Sequence, residues 1–219
     1  MGGAWAHVRI AFDLDGTLID ARRRQVGVAR EALLWATGEK LDELRFWRAK
    51  RSGATTMGAI RGLGYAAADA ERVAQRWAEL VETDEWLASD RALTGVRRAL
   101  GGLRADGAVV TVITARRRRE GARCSVQASG IDSLIHELIV VEPDRAVSAK
   151  AQALRRCHAD GFIGDTDSDG RAARAAVVRF TAVMTGQRSR AYLDARGYEV
   201  ARSLSEALEL LAPRPTSSR

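Results

Sequence analysis

Residues 8–18 read VRIAFDLDGTL, and this stretch decides the fold that we expect. Residues 8–12 form a short run of β-branched and aromatic side chains, which predicts a buried strand. Two acids, Asp13 and Asp15, follow at once, and Gly16 permits a tight turn behind them. Carboxylates at the end of a buried strand are costly to keep ionised unless a cation compensates them. The stretch therefore predicts an acidic site at the end of a first strand.

A second acidic stretch, GFIGDTDSDG, occupies residues 161–170. Its three alternate aspartates and closing glycine match the first half of an EF-hand calcium loop. Such a loop needs a bidentate Glu at its twelfth position, where this chain has Ala176, and it follows a helix rather than a short apolar run. We therefore disfavour an EF-hand. The apolar run before the acids predicts another strand end, at the edge of a parallel sheet.

The composition is that of a globular chain with one good core. Of 219 residues, 46% are hydrophobic and 29% are charged, which argues against wholesale disorder. No apolar run reaches the roughly 18 residues of a membrane helix, and the first residues show no signal-peptide pattern, so we expect a cytoplasmic protein without membrane contact. Cys124 and Cys157 have neither metal nor redox spacing, and we expect both to be reduced packing residues.

Arginine supplies most of the net charge of +7 and clusters at residues 22–24 and 116–119. Such clusters attract polyanions or phosphate esters, but a solvated basic surface explains them as well. No helix-turn-helix, zinc-finger or RNA-binding pattern accompanies the charge. Nucleic acid is thus a disfavoured partner.

The order of the predicted elements gives the fold class. Five short apolar runs predict strands, at residues 8–12, 108–113, 137–141, 161–163 and 177–184. Helical patterns separate the last four, and this alternation predicts an α/β fold with a doubly wound, Rossmann-like parallel sheet. About seventy residues with helical patterning alone, including one predicted helix from 67 to 88, follow the first strand.

This order also predicts the domain organisation. We expect an α/β core from residues 1–19 and 92–212, and a helical insert (residues 20–91) that caps the strand ends. The last seven residues, 213–219, contain proline and serine and are expected to be disordered.

Four motifs follow one another along the chain. DLDGTL ends the first predicted strand, AVVTVIT ends the second at Thr114, Lys150 lies at a helix start, and Gly164, Asp165 and Asp169 form a GDxxxD pattern. In these residues the chain resembles the haloacid dehalogenase (HAD) superfamily, and among its phosphatases the phosphoglycolate-phosphatase-like kind with a small helical cap. The resemblance covers essentially the whole chain, and its first and fourth motifs are the specific ones.

The resemblance implies a reaction and a cofactor. Asp13 would be the nucleophile that forms an aspartyl-phosphate, and Asp15 would serve as general acid and then general base. Mg²⁺ would be bound by Asp13, by the backbone carbonyl of Asp15 and by Asp165. A carboxylate at position 15 is absent from the dehalogenases of the superfamily, so the acid pair favours phosphate-ester chemistry.

Three further residues would support this chemistry. By the same resemblance, Lys150 would balance the clustered negative charge and Thr114 would bind phosphoryl oxygens. Asp169 would brace Lys150 or a metal-bound water without touching the metal itself. The surplus acid Asp167 would either hold an outer-shell water or cap the helix that follows, and we favour the cap.

The helical insert should choose the substrate. Candidate contacts are Gly16, Ala115 and Arg116 beside the motifs, and Arg48, Lys50, Arg51, Ser52, Thr55 and Thr56 in the insert. An ordinary helix–helix connection with a solvated basic face explains the last six equally well. Asn often follows Thr114 in the family and Pro often follows the lysine, but this chain has Ala115 and Ala151 there. We therefore expect a small phosphorylated metabolite, whether a sugar phosphate, a nucleotide or a pathway intermediate.

Two other functions stay open at this point. A phosphomutase acting on a sugar phosphate would use the same pair of acids. A non-catalytic protein that binds nucleic acid through its arginine runs is the more remote alternative, because it leaves the acids unexplained. Either a monomer or a dimer is compatible with the sequence.

Overall fold

A six-stranded, all-parallel sheet forms the centre of the computed structural model, which describes residues 5–212. The strand order is β3-β2-β1-β4-β5-β6. The strands are β1 (Arg9–Phe12), β2 (Val109–Ala115), β3 (Glu137–Val141), β4 (Gly161–Gly164), β5 (Arg179–Val183) and β6 (Val200–Ala201). The predicted α/β fold with a Rossmann-like parallel sheet is therefore confirmed.

Eleven α-helices surround this sheet within the described residues. Five follow β1: α1 (Arg22–Thr37), α2 (Glu43–Arg51), α3 (Thr56–Gly62), α4 (Ala67–Leu80) and α5 (Asp84–Leu87). The other six alternate with the later strands: α6 (Val96–Ala105), α7 (Arg119–Ala128), α8 (Ala146–Arg156), α9 (Asp167–Ala176), α10 (Arg190–Asp194) and α11 (Leu204–Leu211). None of the helices between residues 5 and 212 has the length and apolar character needed to cross a membrane.

The sheet is buried on both faces, and successive side chains of β1 point to opposite faces. Ile10 and Phe12 of β1 join one apolar cluster, whereas Ala11 between them joins another with Phe162. The strand pairs in parallel with β2 on one side and with β4 on the other. The carboxyl ends of these three central strands therefore meet where the order of the sheet reverses, which is where open α/β sheets bind ligands.

Helices α1 to α4 share an apolar cluster of their own. Leu33, Phe46, Ile60 and Val73 are fully buried in it, and Trp77 packs against it. This cluster lies within the predicted helical insert. Its boundaries as a separate domain remain a prediction.

The structure differs from the sequence predictions in local detail. The predicted helix from 67 to 88 ends at Leu80, and a second, short helix begins at Asp84. The break lets the Glu82 carboxylate accept hydrogen bonds from the backbone N–H groups of Arg117 and Arg118. Helices α3 and α10 and strand β6 were not predicted, and the tail predicted for 213–219 lies outside the described residues.

Candidate active site

Three aspartates gather at the carboxyl ends of β1 and β4. Asp13, Asp165 and Asp169 are buried, and one carboxylate oxygen of each lies within 4.8 Å of the others. The Asp13 N–H donates to the Ile163 carbonyl oxygen at 2.8 Å, which continues the pairing of the two strands into the acidic site. Two acidic stretches about 150 residues apart thus form one cluster, as their places at neighbouring strand ends predict.

Lys150 of α8 supplies the positive charge inside this cluster. Its Nζ lies 2.5 Å from Asp13 Oδ1 and 2.6 Å from Asp169 Oδ1. Burial by itself would lower the pKa of Lys150, but the Asp13 and Asp169 carboxylates raise that pKa well above its usual range. The amine is therefore an ammonium that bridges two of the three acids.

One ammonium does not compensate three buried carboxylates. Burial raises the pKa of Asp13 to about 7, although Lys150 opposes the shift. Burial, followed by repulsion from Asp13 and Asp169, raises the pKa of Asp165 well above its usual range. Asp165 Oδ2 accepts the Gln187 N–H at 2.6 Å, whereas its buried Oδ1 has no partner among residues 5–212. This oxygen-rich, under-compensated set fits a hard divalent cation.

Asp15 lies beside the cluster and is held by two arginines. Arg116 donates from Nε to Oδ2 at 2.9 Å and from Nη2 to Oδ1 at 2.8 Å, and Arg24 of α1 also donates to Oδ1. Burial opposes ionisation of Asp15, but the Arg116 and then the Arg24 guanidinium lower its pKa far below the usual range. Asp15 is therefore a carboxylate in this arrangement.

Asp90 completes this charge network from the end of the helical insert. Its carboxylate accepts Arg24 Nε–H at 3.0 Å and the Ser125 hydroxyl at 2.7 Å, and Arg116 lies 3.6 Å away. The side chains of Asp90 and Arg116 are almost fully buried. One buried network therefore joins the insert to the core through Asp15.

Arg116, predicted as a candidate substrate contact, is instead bound to other residues of the protein. Its remaining Nη1 donates to the Gly121 carbonyl at 3.2 Å and to Ser125 Oγ at 2.7 Å. Each of the three nitrogens donates to a protein acceptor and two of them hold the Asp15 carboxylate, so Arg116 orients Asp15. The next three arginines of the run are exposed.

Two glycines allow Asp165 to approach the turn after β1. Gly16 has a φ of 84°, which favours glycine, and its added Cβ would lie 2.9 Å from the Asp165 carboxyl carbon. A Cβ on Gly186 would overlap Asp165 Oδ2 and lie 2.7 Å from the Gly16 Cα. Thr185 Oγ1 also donates to the Gly16 carbonyl at 2.6 Å. The loop after β5 is thus part of the site, and the sequence analysis did not include it.

The candidate substrate contacts in the insert differ in burial and in their hydrogen-bond partners. Arg51 donates to the Met184 and Gly186 carbonyls at 2.9 and 3.1 Å, so it joins α2 to the loop beside Asp165. Thr55 Oγ1 accepts the Gly58 N–H at 3.0 Å and thereby caps α3 instead of facing a substrate. Arg48 and Ser52 are exposed. Lys50 and Thr56 are buried, and Lys50 Nζ donates to Thr56 Oγ1 at 3.3 Å.

The helix cap predicted for Asp167 is wrong. Helix α9 is capped by Thr166, whose hydroxyl accepts the Asp169 N–H at 3.3 Å while Asp169 Oδ2 accepts the Thr166 N–H at 3.1 Å. Asp167 occupies the first helical position instead, and its carboxylate accepts Arg188 Nε–H at 3.3 Å. The capping box also orients Asp169 towards Lys150.

A cleft of ≈ 200 Å³ opens beside Asp15. Helices α1 and α4 form one wall and the end of β2 forms the other, with Gln25, Trp77, Ala115, Arg116, Arg117 and Gln187 among the lining residues. Thr114, next to Ala115, is buried at the end of β2. A larger groove of ≈ 760 Å³ along α1 contains none of the acids described above. The small cleft therefore adjoins the candidate site at Asp15.

Solved structures with the same fold are numerous. A haloacid dehalogenase-like family hydrolase from Streptococcus pneumoniae has a TM-score of 0.73 at 18% identity, over 93% of this chain and 98% of its own. A predicted phosphoglycolate phosphatase from Haemophilus somnus has a TM-score of 0.71 at 19% identity, over 93% and 97%. A predicted phosphatase from Clostridium acetobutylicum has a TM-score of 0.69 at 16% identity, over 94% and 97%.

These identities are low enough that the structural similarity concerns the fold. No curated protein sequence matches the chain significantly. The family model of the haloacid dehalogenase-like hydrolases matches residues 9–176, a span that includes all three clustered aspartates and Lys150. By this match the chain belongs to the haloacid dehalogenase-like hydrolase family.

Proposed function

We propose that the protein is a Mg²⁺-dependent phosphatase that hydrolyses a small phosphate monoester through an aspartyl-phosphate on Asp13. The observation that carries the proposal is the grouping of Asp13, Asp165 and Asp169 around Lys150, with Asp15 at the adjoining cleft. A nucleophile, a proton carrier and a charge-compensating group are what phosphoryl transfer requires. Membership of a hydrolase family supports the same conclusion.

The proposed Mg²⁺ ligands are the carboxylates of Asp13 and Asp165 and the backbone carbonyl of Asp15. The free Oδ1 of Asp165 supports this choice, because a buried carboxylate oxygen without a partner is costly. When bound, Mg²⁺ would supply positive charge to the phosphoryl oxygens. Lys150 supplies positive charge next to Asp13, and Asp169 keeps its ammonium in place.

Asp13 would attack the phosphorus while the bond from phosphorus to the leaving oxygen breaks. Asp15 would give a proton to that oxygen, and then take one from the water that attacks the phosphoryl group on Asp13. The water's hydroxide ends on the released phosphate, and Asp13 and Asp15 return to their starting states. Since Arg24 and Arg116 hold Asp15 as a carboxylate, the arrangement seen here suits the second of these steps.

We also propose that the helical insert acts as the cap of this site. Arg24 and Gln25 of α1 and Trp77 of α4 reach the cleft beside Asp15. An insert that moved away from the core would remove Arg24 from Asp15 and open the cleft. Loss of one guanidinium would make protonation of Asp15 easier, as the first step requires.

Phosphate release tests the proposal. Acetyl phosphate and a panel of metabolite monophosphates would be incubated with the protein in Mg²⁺ or in EDTA. We expect release that requires Mg²⁺, is lost in Asp13→Asn and is retained in Asp132→Asn, which changes an exposed acid of the core. Equal release by Asp13→Asn, or release that persists in EDTA, would contradict the proposal.

A further inference from the structure

Gln25 is a buried polar residue of the cleft that the proposed reaction does not use. It is 4% exposed and lines the cleft next to Asp15, and its Oε1 is buried without a hydrogen-bond partner among residues 5–212. A buried acceptor without a partner is costly. A hydrogen-bond donor on a molecule in the cleft would remove this cost.

Neighbouring contacts hold Gln25 in position. Its backbone carbonyl accepts the Trp77 Nε1–H at 3.0 Å, which fixes the indole beside it. The preceding residue in the chain, Arg24, is anchored to Asp15, Asp90 and the Val81 carbonyl. Gln25 therefore sits on a part of α1 that is held by Trp77 on one side and by the contacts of Arg24 on the other.

The two buried arginines of the cleft are engaged by protein acceptors. Arg24 and Arg116 direct their guanidinium nitrogens to Asp15, Asp90, Ser125 and backbone carbonyls. The Glu82 carboxylate, also in the lining, is already held by two backbone N–H groups and adds negative charge. The described lining thus offers the side-chain amides of Gln25 and Gln187, an indole surface and the exposed guanidinium of Arg117.

We propose that Gln25 and Trp77 select the substrate's leaving group, and that this group is a short chain bearing hydrogen-bond donors, such as a polyol, instead of a carboxylate. The inference rests on the proposed phosphatase function, because the leaving group must lie next to Asp15. Gln25 Oε1 accepts from a hydroxyl or an amine of the substrate, while carbon atoms of the chain pack on the Trp77 ring.

The size of the cleft limits the length of that chain. Its ≈ 200 Å³ corresponds to roughly seven water volumes at about 30 Å³ each. A leaving group of three to six carbons fills such a space by this estimate of roughly seven waters, whereas a nucleoside exceeds it. Among small phosphate esters, the cleft therefore favours those with short leaving groups.

The test compares four esters of similar size: glycerol 3-phosphate, propyl phosphate, O-phosphoethanolamine and phosphoglycolate. We expect kcat/KM for glycerol 3-phosphate to exceed that for propyl phosphate and for phosphoglycolate by about tenfold or more. A preference for O-phosphoethanolamine over propyl phosphate would identify an amine as the donor and would also support the proposal. Equal rates for glycerol 3-phosphate and propyl phosphate, or a preference for phosphoglycolate, would overturn it.

Variants of Gln25 make the test specific. Gln25→Met keeps the length of the side chain but removes its acceptor, so the ratio of glycerol 3-phosphate to propyl phosphate should fall towards one. Gln25→Glu keeps an acceptor and should keep the ratio above that of Gln25→Met. The control is Gln75→Met, the same change at an exposed glutamine of α4. An unchanged ratio in Gln25→Met would overturn the proposal.

A binding measurement separates this inference from the phosphatase proposal. In Asp13→Asn, which should bind but not react, glycerol 3-phosphate should raise the melting temperature more than propyl phosphate does, and adding Gln25→Met should remove the difference. If the wild type also failed to hydrolyse acetyl phosphate, the phosphatase proposal would fail by itself. Equal shifts with the two esters would overturn the role of Gln25 whatever the rate with acetyl phosphate.

Discussion

Arg116 and Asp15 form a bidentate ion pair: Nε of the arginine lies 2.9 Å from Asp15 Oδ2, and Nη2 lies 2.8 Å from Asp15 Oδ1. Arg116 lies two residues after Thr114, at a point where the chain departs from the common pattern of its family. The pair fixes the plane of the carboxylate as well as its charge, since a guanidinium is a rigid fork.

Arg116→Lys should therefore lower kcat by about 10- to 100-fold, because an ammonium cannot hold both oxygens and general acid–base catalysis depends on their position. The fall should appear in kcat more than in KM. Steady-state rates with acetyl phosphate check this, with Arg119→Lys at an exposed position of the same run as control. Equal rates in the two variants would show that the ion pair does not position Asp15.

Asp165→Asn should abolish Mg²⁺ binding without unfolding the protein. The wild type should melt at a higher temperature as Mg²⁺ is added, since a ligand of the folded state stabilises it. Asp165→Asn loses a charge that is buried beside two other acids, so its stability without metal should equal or exceed that of the wild type. Thermal denaturation against Mg²⁺ concentration measures both effects.

The control for that experiment is Asp167→Asn, two residues along the chain. Its carboxylate pairs with Arg188 and lies outside the acidic cluster, so the Mg²⁺-dependent shift should persist. A full shift in Asp165→Asn, or its loss in Asp167→Asn, would contradict the proposed ligand set.

Gly186→Ala should weaken Mg²⁺ binding although residue 186 offers no ligand. The added methyl would overlap Asp165 Oδ2 and approach the Gly16 Cα to 2.7 Å, so Asp165 must move. Gly101→Ala is the matched control, because a methyl there meets no atom within 4 Å and lies within α6. Calorimetric titration with Mg²⁺ should show weaker binding only in Gly186→Ala, and equal affinities would exclude the close approach.

Lys50 gives a prediction about stability and pH. It is 6% exposed, forms no ion pair with a carboxylate in residues 5–212, and lies 5.4 Å from the centre of the Trp77 ring. Burial, followed by repulsion from Arg188, lowers the pKa of Lys50 to about 8. The folded protein then binds fewer protons than the unfolded chain between pH 8 and the usual lysine value of 10.5, so Lys50 makes stability rise with pH over that range.

Lys50→Met should accordingly be more stable than the wild type at pH 7, by at most about 3 kcal/mol. The advantage should shrink as the pH rises from 8 towards 10. Urea denaturation at pH 7 and at pH 10 measures the difference in unfolding free energy between variant and wild type. Lys40→Met, at an exposed lysine, should show no change in this difference with pH. A constant difference between Lys50→Met and wild type would show that Lys50 keeps an ordinary pKa.

Local sequence patterns predicted the strands that carry the site and its motif residues. Buried parallel strands leave continuous apolar runs such as AVVTVI, and acids directly after two of those runs predicted where the cluster would form. The five predicted strands all exist, and each begins and ends within two residues of its predicted ends. Asp13, Asp165, Asp169 and Lys150 could be selected because each stands in a motif.

The residues that surround the motifs carry no such signal. Arg24 and Asp90 are 66 residues apart, near the two ends of the insert, and meet only because these two ends lie side by side. Gly186 has no local pattern, and its importance comes from its distance to Gly16 and Asp165. Strand β6 has two residues, too few for a period to be recognised. These features depend on contacts between distant parts of the chain, so local sequence patterns could not predict them.

The most direct test of the account is a search for phosphate on Asp13 during turnover. The protein would be mixed with acetyl phosphate and Mg²⁺, quenched with acid within milliseconds to seconds, and digested for mass spectrometry. The account predicts one phosphoryl group on the peptide that contains Asp13, absent in Asp13→Asn and lost with time as phosphate appears. Release of phosphate at the normal rate without any phosphorylated Asp13, or by Asp13→Asn, would contradict it.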